Sequence, residues 1–218
     1  MIATSLLPES DLSGAPPGAR ERFGAIDVGS NSVRLLVAEY DPVAGISVID
    51  EVKDQPRLAK GLAQTGRLDD AAVERAMVAL ARMKTVCERR GVRRVAAVAT
   101  SATREAENGG EFVRRVQEEL GIPLEIIDAH TEATLSWRSV AHHFQLDGAR
   151  AVVADIGGGS LELIGAVDGL VEATASLPLG AVRTTETHIL GHRDVPKAID
   201  SLRRHARRQL RKALPWRE

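Results

Sequence analysis

The chain has 218 residues, 44% of them hydrophobic, enough to bury a core in one large or two small domains. A net charge of −1 and an aromatic content of 3% exclude the basic footprint and the stacking surface of a DNA- or RNA-binding protein. A single cysteine, Cys87, excludes an intramolecular disulfide, no apolar run reaches membrane-spanning length, and the N-terminus lacks a signal-peptide pattern, so a cytoplasmic location is expected.

Residues 1–21, rich in Pro, Gly, Ser and Ala, read as a disordered leader. Order is expected from Phe23, with strands over 23–29 and 32–40 joined by a tight turn, and a third over 45–53 after Asp41-Pro42. Asp69 and Asp70 are placed to cap a helix from Ala71 to Arg90, with Val73, Met77, Leu80 and Met83 as its inward stripe and Gly91 as its end. A strand over 92–99 then leads to a short helix carrying Arg104, Glu105 and Asn108. A helix over 111–120, a strand over 124–128 and a helix over 131–144 follow. A boundary near Asp147-Gly148 divides the ordered chain into 22–147 and 148–218. Strands at 151–155, 161–167 and 170–177 precede further helices. This second segment repeats the opening order of the first, which implies a duplicated α/β fold.

Asp27, in AIDVGSNSVRLLV, and Asp155, in VVADIGGGSLELI, each close an apolar run and are each followed by glycine and serine. A strand-end carboxylate holds a cation or a water, and glycines let a tight turn bring bare backbone N–H groups against an anion. A strand-end aspartate equally caps a turn. Two such motifs, each running into a second strand, predict two halves facing one another across a phosphate-sized cleft. Three successive glycines strengthen this, because glycine weakens a sheet unless a ligand approaches closely. The histidines and Cys87 read as structural: neighbouring His142 and His143 cannot share a metal, and no zinc-like ligand set accompanies His188 and His192. Near the C-terminus, Ile199, Leu202, Ala206, Leu210 and Leu214 recur at helical spacing among many arginines. That segment is either a solvated charged face or a basic track for a long polyanion.

Six ordered motifs, DVGSNSVRL (27–35), QPRLAKGL (55–62), ATSATREAEN (99–108), the Glu-Ala pair at 132–133, DIGGGSLEL (155–163) and SLPLGAVR (176–183), resemble the exopolyphosphatase and guanosine-pentaphosphate phosphohydrolase family. That family lies within the actin/Hsp70/hexokinase-like superfamily. The resemblance implies an α/β fold of two actin-like, ribonuclease H-like lobes around a cleft. It also implies release of terminal phosphate from inorganic polyphosphate, or of the 5′ phosphate of guanosine pentaphosphate, with a divalent ion, usually magnesium. It assigns Asp27, Asp155 and Glu162 to the metal. Gly29, Ser30, Asn31, Ser32, Gly157, Gly158, Gly159 and Ser160 fall to phosphate, as does Arg104 through its planar fork. Glu132 becomes the catalytic base, and Arg57 matches an arginine serving the fold or the phosphate. A sugar or acetate kinase of the superfamily and a non-catalytic polyphosphate or alarmone binder are the competing readings; TSATREAEN speaks against the kinase.

Two departures stand out. The family commonly reads Ser-Gly-x-Glu-Glu-Ala where this chain has Asp128-Ala129-His130-Thr131-Glu132-Ala133, losing the glycine and first glutamate but keeping the aligned base. No later Gly-Thr-Gly-Gly-Thr segment follows. The second lobe is therefore expected to be incomplete, with weak or absent activity. Its last helix is expected to expose an apolar stripe, as in a truncated, inactive family member, unless a homodimer or a second polypeptide covers it.

Overall fold

The computed structural model describes residues 20–146 and 148–213. The expected leader lies outside these residues as far as position 19, as do Asp147 and Leu214. Strand β1 (Glu21–Val28) opens the fold two residues earlier than expected and pairs antiparallel with β2 (Val33–Asp41). Strand β3 (Gly45–Asp54) completes an antiparallel meander. Period-two burial drives this arrangement: Val33, Leu35 and Val37 are fully buried on one face of β2, and Ile26 and Val28 join them from β1.

A short helix, α1 (Leu62–Thr65), was not foreseen; glycines in the left-handed region, Gly61 and Gly66, bracket its four residues. Helix α2 (Asp70–Arg89) follows the expected course. The Asp69 side chain accepts from Ala72 N at 2.9 Å as its N-cap, and Val73, Met77, Leu80 and Met83 face the first sheet. Strand β4 (Arg94–Ala99) starts two residues later than expected, because Val92 N still bonds Cys87 O at the helix end. It lies parallel to β1, and helices α3 (Ser101–Glu105) and α4 (Gly109–Leu120) then lead to β5 (Leu124–Ile126), parallel to β4. The sheet order is β3-β2-β1-β4-β5. The expected strand over 124–128 stops at Ile126 because Asp128 instead caps helix α5 (Ala129–His143), accepting from Thr131 N at 2.7 Å.

The second sheet is the meander β6 (Arg150–Ile156), β7 (Leu161–Val167) and β8 (Leu170–Leu177). It repeats the antiparallel order of β1, β2 and β3. Strand β7 is buried on both faces. On one side, Ile164 and Ala166 pack against Ala133 and Trp137 of α5. Helix α6 (Ala181–His188) follows β8, and α7 (Val195–Ala213) lies over the other side. There Ala206 and Leu210 pack against Leu161, Leu163 and Leu179. The expectation of a bare apolar stripe on the last helix is thus corrected. Ala206 and Leu210 pack partly buried on the sheet and Ala198 is buried, while among the described apolar residues of the helix Val195 and Ile199 stay exposed, Ile199 at 39%.

Candidate functional site

The two glycine turns have one construction. Gly29 N donates to Ser32 O and Gly157 N donates to Ser160 O, each at 3.0 Å, so each turn closes the same four-residue loop between paired strands. In the first turn, Ser30 O accepts from Ala59 N and Asn31 O from Arg57 N. In the second, the opening turn of α6 does this work. Gly157 O accepts from Ala181 N, Gly158 O from Val182 N and Arg183 N, and Gly159 O from Gly180 N. The helix N-terminus thereby satisfies its own orphan donors. A trans peptide points its C=O and the following N–H in opposite directions. The N–H groups of Asn31, Ser32, Gly158, Gly159 and Ser160 therefore face away from the segments that hold the carbonyls. They have no acceptor among the described residues.

The turns also meet. A Cβ on Gly158 would sit 3.1 Å from Asn31 N, and one on Gly159 would sit 2.4 Å from Ser101 Oγ and 2.6 Å from Ser30 Oγ. Glycine is required there for close approach of the two halves. Arg57 serves this assembly through its backbone: it adopts φ 60° while its N–H holds Asn31 O.

Arg104 and Glu132 reach the same place from α3 and α5. Arg104 Nη1 donates to Glu132 Oε2 at 3.0 Å and to Ile127 O at 2.8 Å. Its Nε and Nη2, and Glu132 Oε1, have no partner among the described residues. Burial pushes the Glu132 carboxyl above the usual carboxylate range, the charge of Glu162 adds to this, Arg104 opposes it, and Asp27 contributes a further rise. Asp27 keeps a face open to water but is otherwise surrounded by protein. Burial raises its pKa, Arg34 lowers it, and the Asp155 charge raises it. The charge of Asp155 reaches Asp27, and those of Glu162 and Asp27 reach Glu132, so these predicted residues lie near one another beside the turns.

Duplication explains part of this placement. Asp27 lies opposite Arg34 across β1 and β2, and Asp155 opposite Glu162 across β6 and β7. The second half carries an acid where the first carries a base. Three participants were not foreseen. Ser136 Oγ donates to Asp155 Oδ2 at 2.7 Å, and Ser176 Oγ to the buried Glu162 Oε1 at 3.0 Å. Ser136 is four residues beyond Glu132 on α5, a spacing that puts both on one helix face. The third is Gly180, where a Cβ would lie 2.3 Å from Gly159 C and 2.4 Å from Gly158 C.

Asp27, Asp155 and Glu162 are oxygen donors, the ligand type that a hydrated divalent ion takes. No group of three or more His, Cys, Asp or Glu side chains among the described residues is placed to hold a metal ion by itself. Magnesium needs only one or two carboxylates with its waters and substrate phosphates.

Two Asp-x-Gly turns, each linking the first strands of a β-meander and meeting one another beside a group of carboxylates, define an actin-like α/β protein. The chain belongs to the Ppx/GppA phosphatase family, whose profile matches residues 36–215. It is 36% identical over 195 residues to an uncharacterised protein of Streptomyces coelicolor, covering 88% of this chain and 57% of that one. It is 34% identical to exopolyphosphatase 1 of Mycobacterium leprae, covering 75% and 48%. Among solved structures, the Aquifex aeolicus family member matches with a TM-score of 0.71 at 32% identity, covering 89% of this chain and 63% of that one. An exopolyphosphatase from Cytophaga hutchinsonii matches with a TM-score of 0.81 at 27% identity, covering 90% and 64%. The chain thus spans between about half and two thirds of the length of these relatives.

Proposed function

We propose that this protein hydrolyses the terminal phosphoanhydride bond of inorganic polyphosphate, with Glu132 as the base. The observation that carries this reading is the pair of like-bonded turns with their carbonyls engaged and their N–H groups turned out, beside a carboxylate whose one oxygen is held by Arg104 and whose other has no partner among the described residues. Donors preorganised in this way stabilise charge on phosphoryl oxygens without reorganisation during reaction.

The turn N–H groups and the hydroxyls of Ser30, Ser32 and Ser160 hold the oxygens of the terminal phosphoryl group. Nε and Nη2 of Arg104 supply a charged fork to the same group. Glu132 Oε1 accepts a proton from the attacking water. The water oxygen bonds to phosphorus as the bridging P–O bond breaks, and polyphosphate leaves one unit shorter. Asp27, Asp155 and Glu162 would hold a magnesium ion, which supplies positive charge against the phosphates. Two features favour polyphosphate over guanosine pentaphosphate: relatives bear the exopolyphosphatase name, and 3% aromatic content leaves little to stack on a guanine.

The test is phosphate release from long-chain polyphosphate with magnesium, run beside guanosine pentaphosphate. Wild type is expected to release phosphate from polyphosphate, and Glu132→Gln to lose about 10²- to 10⁴-fold in kcat with binding retained. Equal rates in wild type and variant would remove Glu132 from the base role. Binding without turnover in wild type would make the chain a polyphosphate-binding protein.

A further inference from the structure

The proposed chemistry draws its groups from both halves of the molecule: one turn and Arg104 come with the first sheet, the triple-glycine turn with the second, and Glu132 with the helix α5 between them. Something must hold these parts in register. Arg183, on the first turn of α6, touches both. Its Nε donates to Gly159 O at 2.9 Å and its backbone N to Gly158 O at 3.1 Å. Its Nη2 pairs with the Glu105 carboxylate on α3, the neighbour of Arg104. The other Glu105 oxygen accepts from Ser101 Oγ at 2.9 Å, and Ser101 is the residue against which Gly159 packs. A second tie lies one turn along α6, where Glu186 Oε2 accepts from Gly61 N at 3.0 Å.

We infer that Arg183 is a positioning residue that fastens the triple-glycine turn to the helix carrying Arg104, and so sets the spacing between the two halves of the phosphate cradle. A planar guanidinium suits the task, because one end bonds a carbonyl of the turn while the other takes a carboxylate from the opposite half. A lysine has a single head and cannot make both contacts in this geometry. The Arg183 side chain is 20% exposed, so water competes weakly for its bonds. The kinetic part of this inference rests on the proposed hydrolase reading; the structural part does not.

The experiment is a double-mutant cycle of Glu105→Gln, Arg183→Gln and the pair, with Arg183→Lys beside it, read by amide hydrogen exchange and by kcat and KM for phosphate release. The reporters are the amides of Ala181 and Val182, which bond the second turn. The controls are those of Arg57 and Ala59, which bond the first turn in the same manner. Exchange at the reporters is expected to rise about tenfold in Arg183→Gln, and also in Glu105→Gln, with the controls unchanged. Arg183→Lys should not restore it, and the double variant should add little to Arg183→Gln. Turnover should fall ~10- to 100-fold with KM nearly unchanged, the mark of misalignment rather than lost binding. Wild-type exchange at Ala181 and Val182 in Glu105→Gln would overturn the inference, as would an equal rise at reporters and controls. If wild type shows no turnover, the hydrolase reading falls while the exchange data still decide the role of Arg183.

Discussion

Glu132 stands between opposed influences: burial and two neighbouring carboxylates raise its pKa, and the Arg104 guanidinium holds it down. Arg104→Gln removes the opposing charge. The acid limb of the pH–rate profile, set by ionisation of Glu132, should then move to higher pH, with kcat at neutral pH lower by about 10²-fold or more. Asp27 carries a raised pKa for a related reason. A carboxyl that binds its proton more tightly in the folded chain than in the unfolded one loses stability as pH rises from the ordinary carboxylate value through the raised one. Asp27→Asn should therefore melt above wild type at pH 7, lose that advantage in acid, and release no phosphate. The position and type of Glu132 were legible in the sequence through its motif. Its bond to Arg104, 28 residues earlier, was not, because it depends on where the parallel pairing of β4 and β5 puts α3 relative to α5.

At the level of elements, the second turn owes its shape to α6, and α6 can come so close because residue 180 is glycine. Its φ of −64° is ordinary, so space is what fixes this residue. Gly180→Ala drives a methyl into backbone atoms at 2.3 to 2.4 Å, which cannot swing aside as a flexible side chain would. A loss of ~3 kcal/mol or more is expected in chemical denaturation, with weaker phosphate binding in whatever remains folded. Long, regular elements were readable: the stripe and caps of α2 and both meanders follow from spacing alone. Helix α1 was not, since four residues between two glycines carry no usable period. The contact between α6 and the glycine turn also escaped, because a GAVR segment looks like any helix start until its neighbour is known.

For the molecule as a whole, α5 is the member shared between the halves. It is capped by Asp128 just after the first sheet ends, carries Glu132 in its first turn, and lays Ala133 and Trp137 on the second sheet. Trp137 is the large side chain of a small cluster, so few contacts compensate its loss. Trp137→Ala should cost about 3–5 kcal/mol and reduce phosphate release along with stability, because the helix that bears the base loses its seat. The duplicated meander was visible as a repeated motif order, whereas strand order β3-β2-β1-β4-β5 was not, since parallel neighbours are fixed by crossover packing rather than by local pattern.

The matching turns sort ions by sign. Every backbone carbonyl from Ser30 to Ser32 and from Gly157 to Gly159 is already bonded within the protein, so the backbone of the two loops offers an incoming group N–H donors and no free carbonyl. A phosphate finds all of them. A cation finds no free backbone carbonyl there, and the charged oxygens it would seek are those of the carboxylates, which lie on different strands and a different helix. On the proposed reading, anion and cation therefore meet different groups of the protein, and either can arrive first without occupying the other's place.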